Sequence, residues 1–233
     1  MNILNVLTIF VSITASAEQI KIAVIDTGYT KPVGISPVNL CKDGHYDASN
    51  QTNTVGADEI VNGSFGHGTN IAHIIDDKLK RFGKNRYCIV IFKVYGGSRN
   101  LIEMSIDALD KINKSDIKYV NYSTAGEGFD KKESEVVKAL LDKGVMIAAA
   151  AGNSNVSLES VKIYPAMYDK RINVVGNGFS SYTKSKSSNY GEPVKHWVVG
   201  DNICAGGVVK SGTSQATAIF TARMIQDILT YGK

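Results

Sequence analysis

Short apolar blocks alternate along the chain with stretches in which apolar residues recur at helical spacing. "IKIAVI" at 20–25 is a continuous, β-branched run that stops at Asp26-Thr27-Gly28, which predicts a buried strand followed by a turn. A polar, irregular stretch continues to Gly66. "HGTNIAHIIDDKLK" (67–80) carries apolar residues on one helical face, and "CIVIFKVY" (88–95) predicts a second buried strand ending at Gly96-Gly97. The spacing in "LIEMSIDALDKINK" (101–114) predicts a helix, and "IKYVNYS" (117–123) a strand. "KKESEVVKALLDKG" (131–144) predicts a helix closed by Gly144 at C′, followed by strands at "VMIAAAA" (145–151) and "RINVVG" (171–176). The last third is loop-rich and ends in a helix from about Ser214 to Leu229.

Strands alternating with helices predict an α/β fold: three layers, a mostly parallel central sheet, helices on both faces. Sites in such folds form beyond the carboxyl ends of the strands. Asp26, Ser123 and Asn153 all fall at predicted strand ends, so the pattern places three polar residues along one sheet edge. No internal repeat or linker divides the chain, which predicts one domain over 18–233.

Ser214 could simply cap the last helix, since serine is a favoured N-cap. The alternative is a nucleophile held where the helix dipole favours negative charge. His67 opens a predicted helix between Gly66 and Gly68, where the backbone admits close approach. Asp26 alone reads equally well as an Asx-turn residue, and Asn153 alone as a loop residue tolerating a left-handed conformation.

Composition narrows the function classes. The 233 residues include 26 basic and 22 acidic side chains, a net charge of +4 without a long basic block, which argues against nucleic-acid binding. Lys184 and Lys186 belong to a Ser-rich, solvated loop. Residues 1–17, "MNILNVLTIFVSITASA", carry no charge and end in Ala15-Ser16-Ala17, which reads as a cleaved signal peptide with a mature start at Glu18. A buried strand or a short anchor is the alternative, favoured by the missing Lys or Arg near the start. A cleaved signal implies a secreted protein, extracellular or periplasmic, with no stable membrane insertion. Of the three cysteines, Cys41 and Cys88 each fall near the start of a strand and are the candidate disulfide, leaving Cys204 free. Three buried thiols acting as small hydrophobes remain the alternative.

The single residues gain weight in combination. Asp26-Thr27-Gly28, His67-Gly68-Thr69 and Gly212-Thr213-Ser214 occur in the chain order Asp, His, Ser, with "AAAAGNSN" (148–155) between the last two. "AVIDTG", "GHGTNIA", "VNYSTAG", "AAAAGN", "YPAMYDKRINVVG" and "SGTSQATA" appear in sequence. Through these six segments the chain resembles the subtilisin-like serine proteases, the subtilases. The resemblance implies a serine endopeptidase without cofactor, acting as a monomer on polypeptide substrates; family members often bind calcium, but no stretch reads as a Ca²⁺ loop, so no metal is expected. Ser214 would be the nucleophile, His67 the general base and Asp26 its orienting acid. The Asn153 amide and the Ser214 N–H would hold the oxyanion. Ser123, Thr124 and Ala125 would pair with the substrate backbone, and Ala150, Ala151 and Gly152 would line the pocket for the residue before the cut.

The chain departs from that family in places. After His67 the usual His-Val-Ala-Gly is Asn70-Ile71-Ala72-His73. His73, six positions after His67, lies on another helical face and reads as a packing or surface residue. Gln215 replaces the usual Met after the nucleophile, and Thr217-Ala218 replaces the usual Pro. Only Glu18-Gln19 separates the signal from the first strand, which leaves no room for the family's propeptide. Either the enzyme folds unaided, or a protein inhibitor or separate chaperone restrains it, or the start of the chain is not a signal followed by the mature protein. The competing reading is a peptide-binding protein of weak activity on the same scaffold. A nucleotide-binding α/β domain is disfavoured, because no Gly-x-Gly-x-x-Gly follows the first strand.

Overall fold

The computed structural model describes residues 19–59 and 66–232. The segment read as a signal peptide, 1–17, lies outside the described residues. The elements in chain order are β1 (Ile20–Asp26), β2 (Tyr46–Asp47), α1 (His67–Leu79), β3 (Tyr87–Lys93), α2 (Leu101–Asn113), β4 (Tyr119–Tyr122) and α3 (Lys131–Asp142). There follow β5 (Met146–Ala150), β6 (Asn173–Asn177), β7 (His196–Val198), β8 (Ile203–Ala205), β9 (Val208–Lys210) and α4 (Thr213–Tyr231). Seven strands form one sheet in the order β2-β3-β1-β4-β5-β6-β7, every pairing parallel. β8 and β9 form a separate antiparallel hairpin that turns through Gly206-Gly207, at φ of 62° and 80°.

The strict alternation of a strand explains the layering. Ala23 and Ile25 face one core, shared with Val90, Phe92, Val120 and Ile147 and closed by Met104, Leu109 and Ile112 of α2 and Val137 and Leu140 of α3. Ile22 and Val24 face the other, with Ile89, Ile91 and Val175, closed by Ile71 and Ile75 of α1 and Ile219 and Ile225 of α4. Both faces of the central strands are buried, which is why β1 and β3 read as unbroken apolar runs. Burying each such aliphatic side chain contributes about 1.5–3 kcal/mol.

Most predicted elements stand within two residues of their expected ends. The expected strand at 117–123 is shorter: Ser123 falls just past the end of β4. β2, β7, β8 and β9 were not expected; at two or three residues each they are too short to carry a period. Cys41 does not begin a strand. It lies in a loop beside β3, where its N–H donates to the Ile89 carbonyl, and it forms a disulfide with Cys88, the second residue of β3 (Cα–Cα 4.8 Å). Cys204 is a free, exposed thiol on β8.

The helix starts differ in kind. Asn100 caps α2 by accepting from Ile102 N, and Asp130 caps α3 by accepting from Glu133 N, each at 2.8 Å. α1 and α4 begin instead at Gly66 and Gly212, which offer no capping side chain. Their first-turn N–H groups are left to partners from elsewhere.

The disulfide assignment predicts that folded protein reacts with a single equivalent of thiol reagent, and that peptide mapping places the adduct on Cys204. Labelling of Cys41 or Cys88 without reductant would contradict it.

Candidate active site

β1 delivers Asp26 to the carboxyl edge of the sheet, 1% exposed. Its Oδ1 accepts from the Thr27 N–H at 2.8 Å and from His67 Nδ1 at 2.7 Å. This is not the bond of an Asx-turn, which would go to the N–H two residues on: Asp26 Oδ1 serves the adjacent N–H and the histidine. Asp26 Oδ2 is buried without a partner among the described residues. His67 is the first residue of α1, its side chain 29% exposed toward a cleft of about 800 Å³. Burial lowers the pKa of the His67 ring, but the charge and hydrogen bond of Asp26 raise it more. Lys210 on β9 lowers it and Asp58 raises it, and the net value lies above the usual 6.5.

Gly68 is required by packing. A Cβ there would meet the Gly28 carbonyl oxygen at 2.2 Å and the Asp26 Cβ at 3.2 Å. The start of α1 can therefore press directly onto the end of β1. Asp58, absent from the sequence expectations, holds this junction. Its Oδ1 accepts from Thr27 Oγ1 at 2.5 Å and its Oδ2 from Thr69 N at 2.6 Å, so a carboxylate distant in sequence caps α1. Thr27 Oγ1 in turn accepts from Gly68 N at 2.8 Å. A side chain on Gly66 would occupy the space of that carboxylate. Desolvation raises the Asp58 pKa, partly offset by the bonds from Thr27 and Thr69.

Ser214 is the second residue of α4, not its cap: Gly212 holds that position and has no side chain to cap the helix. The Ser214 hydroxyl donates to the Ser123 carbonyl at 3.1 Å, and Ser123 Oγ donates to the Ser214 carbonyl at 3.5 Å. The Ser214 side chain lines the same cleft as Asp26 and His67. Asn153 follows β5 and is exposed on the cleft wall, without the positive φ its type suggested; Asn155 has that conformation, at 54°. Asn153 Oδ1 accepts from Thr213 N at 2.9 Å, which leaves Nδ2 as the donor not used by this bond.

Ser123, Thr124, Ala125, Ala150 and Gly152 all line the cleft. Ala151 does not: it is fully buried in the core with α2 and α3, because side chains alternate along the segment. Asn189 was missed. It is fully buried, accepts from Ser154 N and Val156 N through Oδ1, and donates to the Ala151 carbonyl through Nδ2. A Cβ on Gly152 would meet Asn189 Nδ2 at 2.4 Å, so the glycine makes room for the amide that braces the Asn153 loop. Glu59 and Glu127, also unforeseen, line the cleft; Glu59 pairs with the buried Lys93. His73 is buried against the Tyr29 ring, 6.1 Å between centroids, and burial lowers its pKa.

Comparison with known proteins establishes the family. The sequence profile of the Subtilase family, peptidase S8, matches residues 17–225. The chain belongs to the subtilase family. It is 28% identical over 171 residues to subtilisin-like protease 7 of Trichophyton equinum, covering 69% of this chain and 42% of that protein. It is 26% identical over 202 residues to the major intracellular serine protease of Bacillus subtilis, covering 80% of this chain and 59% of the relative. The chain thus spans between two fifths and three fifths of the length of these relatives. The crystal structure of a cold-adapted subtilisin-like serine proteinase superposes with a TM-score of 0.69 at 26% identity, over 91% of this chain and 77% of that one. The seven-stranded sheet is therefore the subtilase α/β fold. Among the described residues no helix is long and apolar enough to cross a membrane.

Because the folded pKa of His67 is raised, its pairing with Asp26 contributes stability fully below pH 6.5 and loses it as pH rises through the folded value. The parent should therefore exceed Asp26→Asn in urea midpoint by more at about pH 5.5 than at about pH 9.5, the margin shrinking as pH rises. A gap independent of pH would contradict the ion pair. Removing the remote cap should cost about 1 kcal/mol in Asp58→Ala, within a range of about 0.5–2 kcal/mol, read from denaturant unfolding.

Proposed function

We propose that this subtilase is a serine endopeptidase working through Asp26, His67 and Ser214. The observation that carries the reading is the half-buried 2.7 Å bond from His67 Nδ1 to Asp26, at the wall of a cleft that His67 and Ser214 both line. Asp26 fixes the tautomer with the proton on Nδ1, which leaves Nε2 as the base. A polypeptide would lie along Ser123-Thr124-Ala125, and its carbonyl would draw the Ser214 hydroxyl from the Ser123 oxygen toward His67. Ser214 Oγ bonds to the carbonyl carbon as its proton passes to Nε2. Collapse of the tetrahedral species returns that proton to the departing amine and leaves an acyl-enzyme, which water then hydrolyses by the same route. The Ser214 N–H, in the first turn of α4, and Asn153 Nδ2 would stabilise the oxyanion.

The disulfide supports an exported protein, since such bonds persist in oxidising compartments. One observation favours a second reading, a peptide-binding protein of weak activity: the Ser214 hydroxyl donates to Ser123 rather than to His67.

A fluorophosphonate probe separates the two. It should modify Ser214, and Ser214→Ala and His67→Ala should abolish the adduct. A folded chain that stays unlabelled would favour the binding protein. Asn153→Ala should lower peptide turnover by about 10²–10³-fold.

A further inference from the structure

Two of the departures from the family sequence lie on opposite sides of the site. Asn70 stands one turn beyond His67 on α1, and Gln215 directly follows Ser214 on α4. The fold makes them partners. Gln215 Nε2 donates to Asn70 Oδ1 at 3.0 Å, across 145 positions of sequence. Neither amide is solvated: Asn70 is 0% exposed and Gln215 2%. Asn70 Nδ2 donates onward to the Ala205 carbonyl of β8 at 2.9 Å, so one amide ties together both helix starts and the hairpin. Gly212 leaves the space this needs, because a Cβ there would lie 3.3 Å from Gln215 Oε1.

The apolar face between the two helices is non-directional. It draws Ile71 and Ile75 against Ala218 and Ala222 but tolerates sliding. A hydrogen bond between planar amides has a preferred length and direction. The pair sits within the first turns of the helices that begin with His67 and carry Ser214. A misplacement of about 1 Å between a base and its nucleophile can cost about 10²-fold in rate. We infer that Asn70 and Gln215 form a positioning pair that sets the separation of His67 from Ser214. The inference rests on the protease reading above; neither side chain lines the cleft.

Gln215→Met preserves side-chain length and removes the donor, leaving Asn70 Oδ1 buried and unpaired. Asn70→Leu removes the acceptor, with Asn70→Ser in its place should the leucine variant not fold. The readouts are the fluorophosphonate labelling rate at Ser214 per folded molecule, kcat and KM on a peptide substrate, and the urea midpoint. Gln215→Met should label at least about 10-fold more slowly, with kcat reduced in step and KM within about twofold of the parent. The double variant should be no slower than the slower single one, since either change breaks the same bond. A lower urea midpoint with an unchanged labelling rate per folded molecule would show a merely structural pair and overturn the inference. Losses that multiply in the double variant would overturn it as well. A parent that never labels overturns the protease reading and this inference together. A labelled parent matched by its Gln215→Met variant overturns this inference alone.

Discussion

The hydrogen bond from His67 Nδ1 to Asp26 Oδ1, 2.7 Å long, joins the end of β1 to the first residue of α1. Its geometry depends on the sheet beneath it. Asp26 sits in register with Lys93 of β3, and Val94 N donates to the Asp26 carbonyl, so the backbone bearing the carboxylate is tied to its neighbouring strand. The helix that brings His67 starts where Gly68 can touch the Gly28 carbonyl. A carboxylate this buried would be costly if unpaired. The turn N–H and the imidazole on Oδ1 offset that cost and hold the ring in one orientation.

The same economy recurs at the other helix starts. α2 and α3, remote from Ser214, are capped locally by Asn100 and Asp130, and a local cap suffices where nothing else must approach. At α1 a side chain in the cap position would collide with the Asp58 carboxylate, and at α4 it would crowd the Asn153 and Gln215 amides. Glycine takes the cap position, and Asp58 satisfies Thr69 N from a distance. At α4 the Asn153 carbonyl oxygen takes Thr213 N, which aligns the Asn153 amide with the start of the helix. The next N–H, that of Ser214, is the one the proposed reaction uses.

How much of this could be read in advance follows from the range of each interaction. β1 and β3 were legible because both faces are buried, and burial of both faces writes an unbroken run of Ile and Val. α2 and α3 were legible because one buried stripe repeats at 3.6 residues. β7, β8 and β9 were not, since three residues hold no period. Asp26, His67, Ser214 and Asn153 stood out through short motifs in order, each motif local in sequence. Asp58 and Asn189 had no such signal. Each is one polar residue in an irregular stretch, and its significance lies in N–H groups that only the fold brings to it. Ala151 was misplaced for a local reason: a run of four alanines hides which side chains alternate inward.

Buried amides explain why the departures from family pattern need not weaken the site. Asn121 Nδ2 donates to Ser123 Oγ at 2.8 Å, and Thr221 Oγ1 donates to Asn121 Oδ1 at 3.1 Å, linking α4 to the end of β4. Gln215 and Asn70 link α4 to α1 in the same way. An apolar replacement at any one of these positions would leave its partner unsatisfied in a dry interior, which costs more than the bond itself contributes. The glutamine after Ser214 is accommodated because Asn70, one turn beyond His67, accepts from its amide. Two departures that look unrelated when each position is read alone are, in three dimensions, one contact.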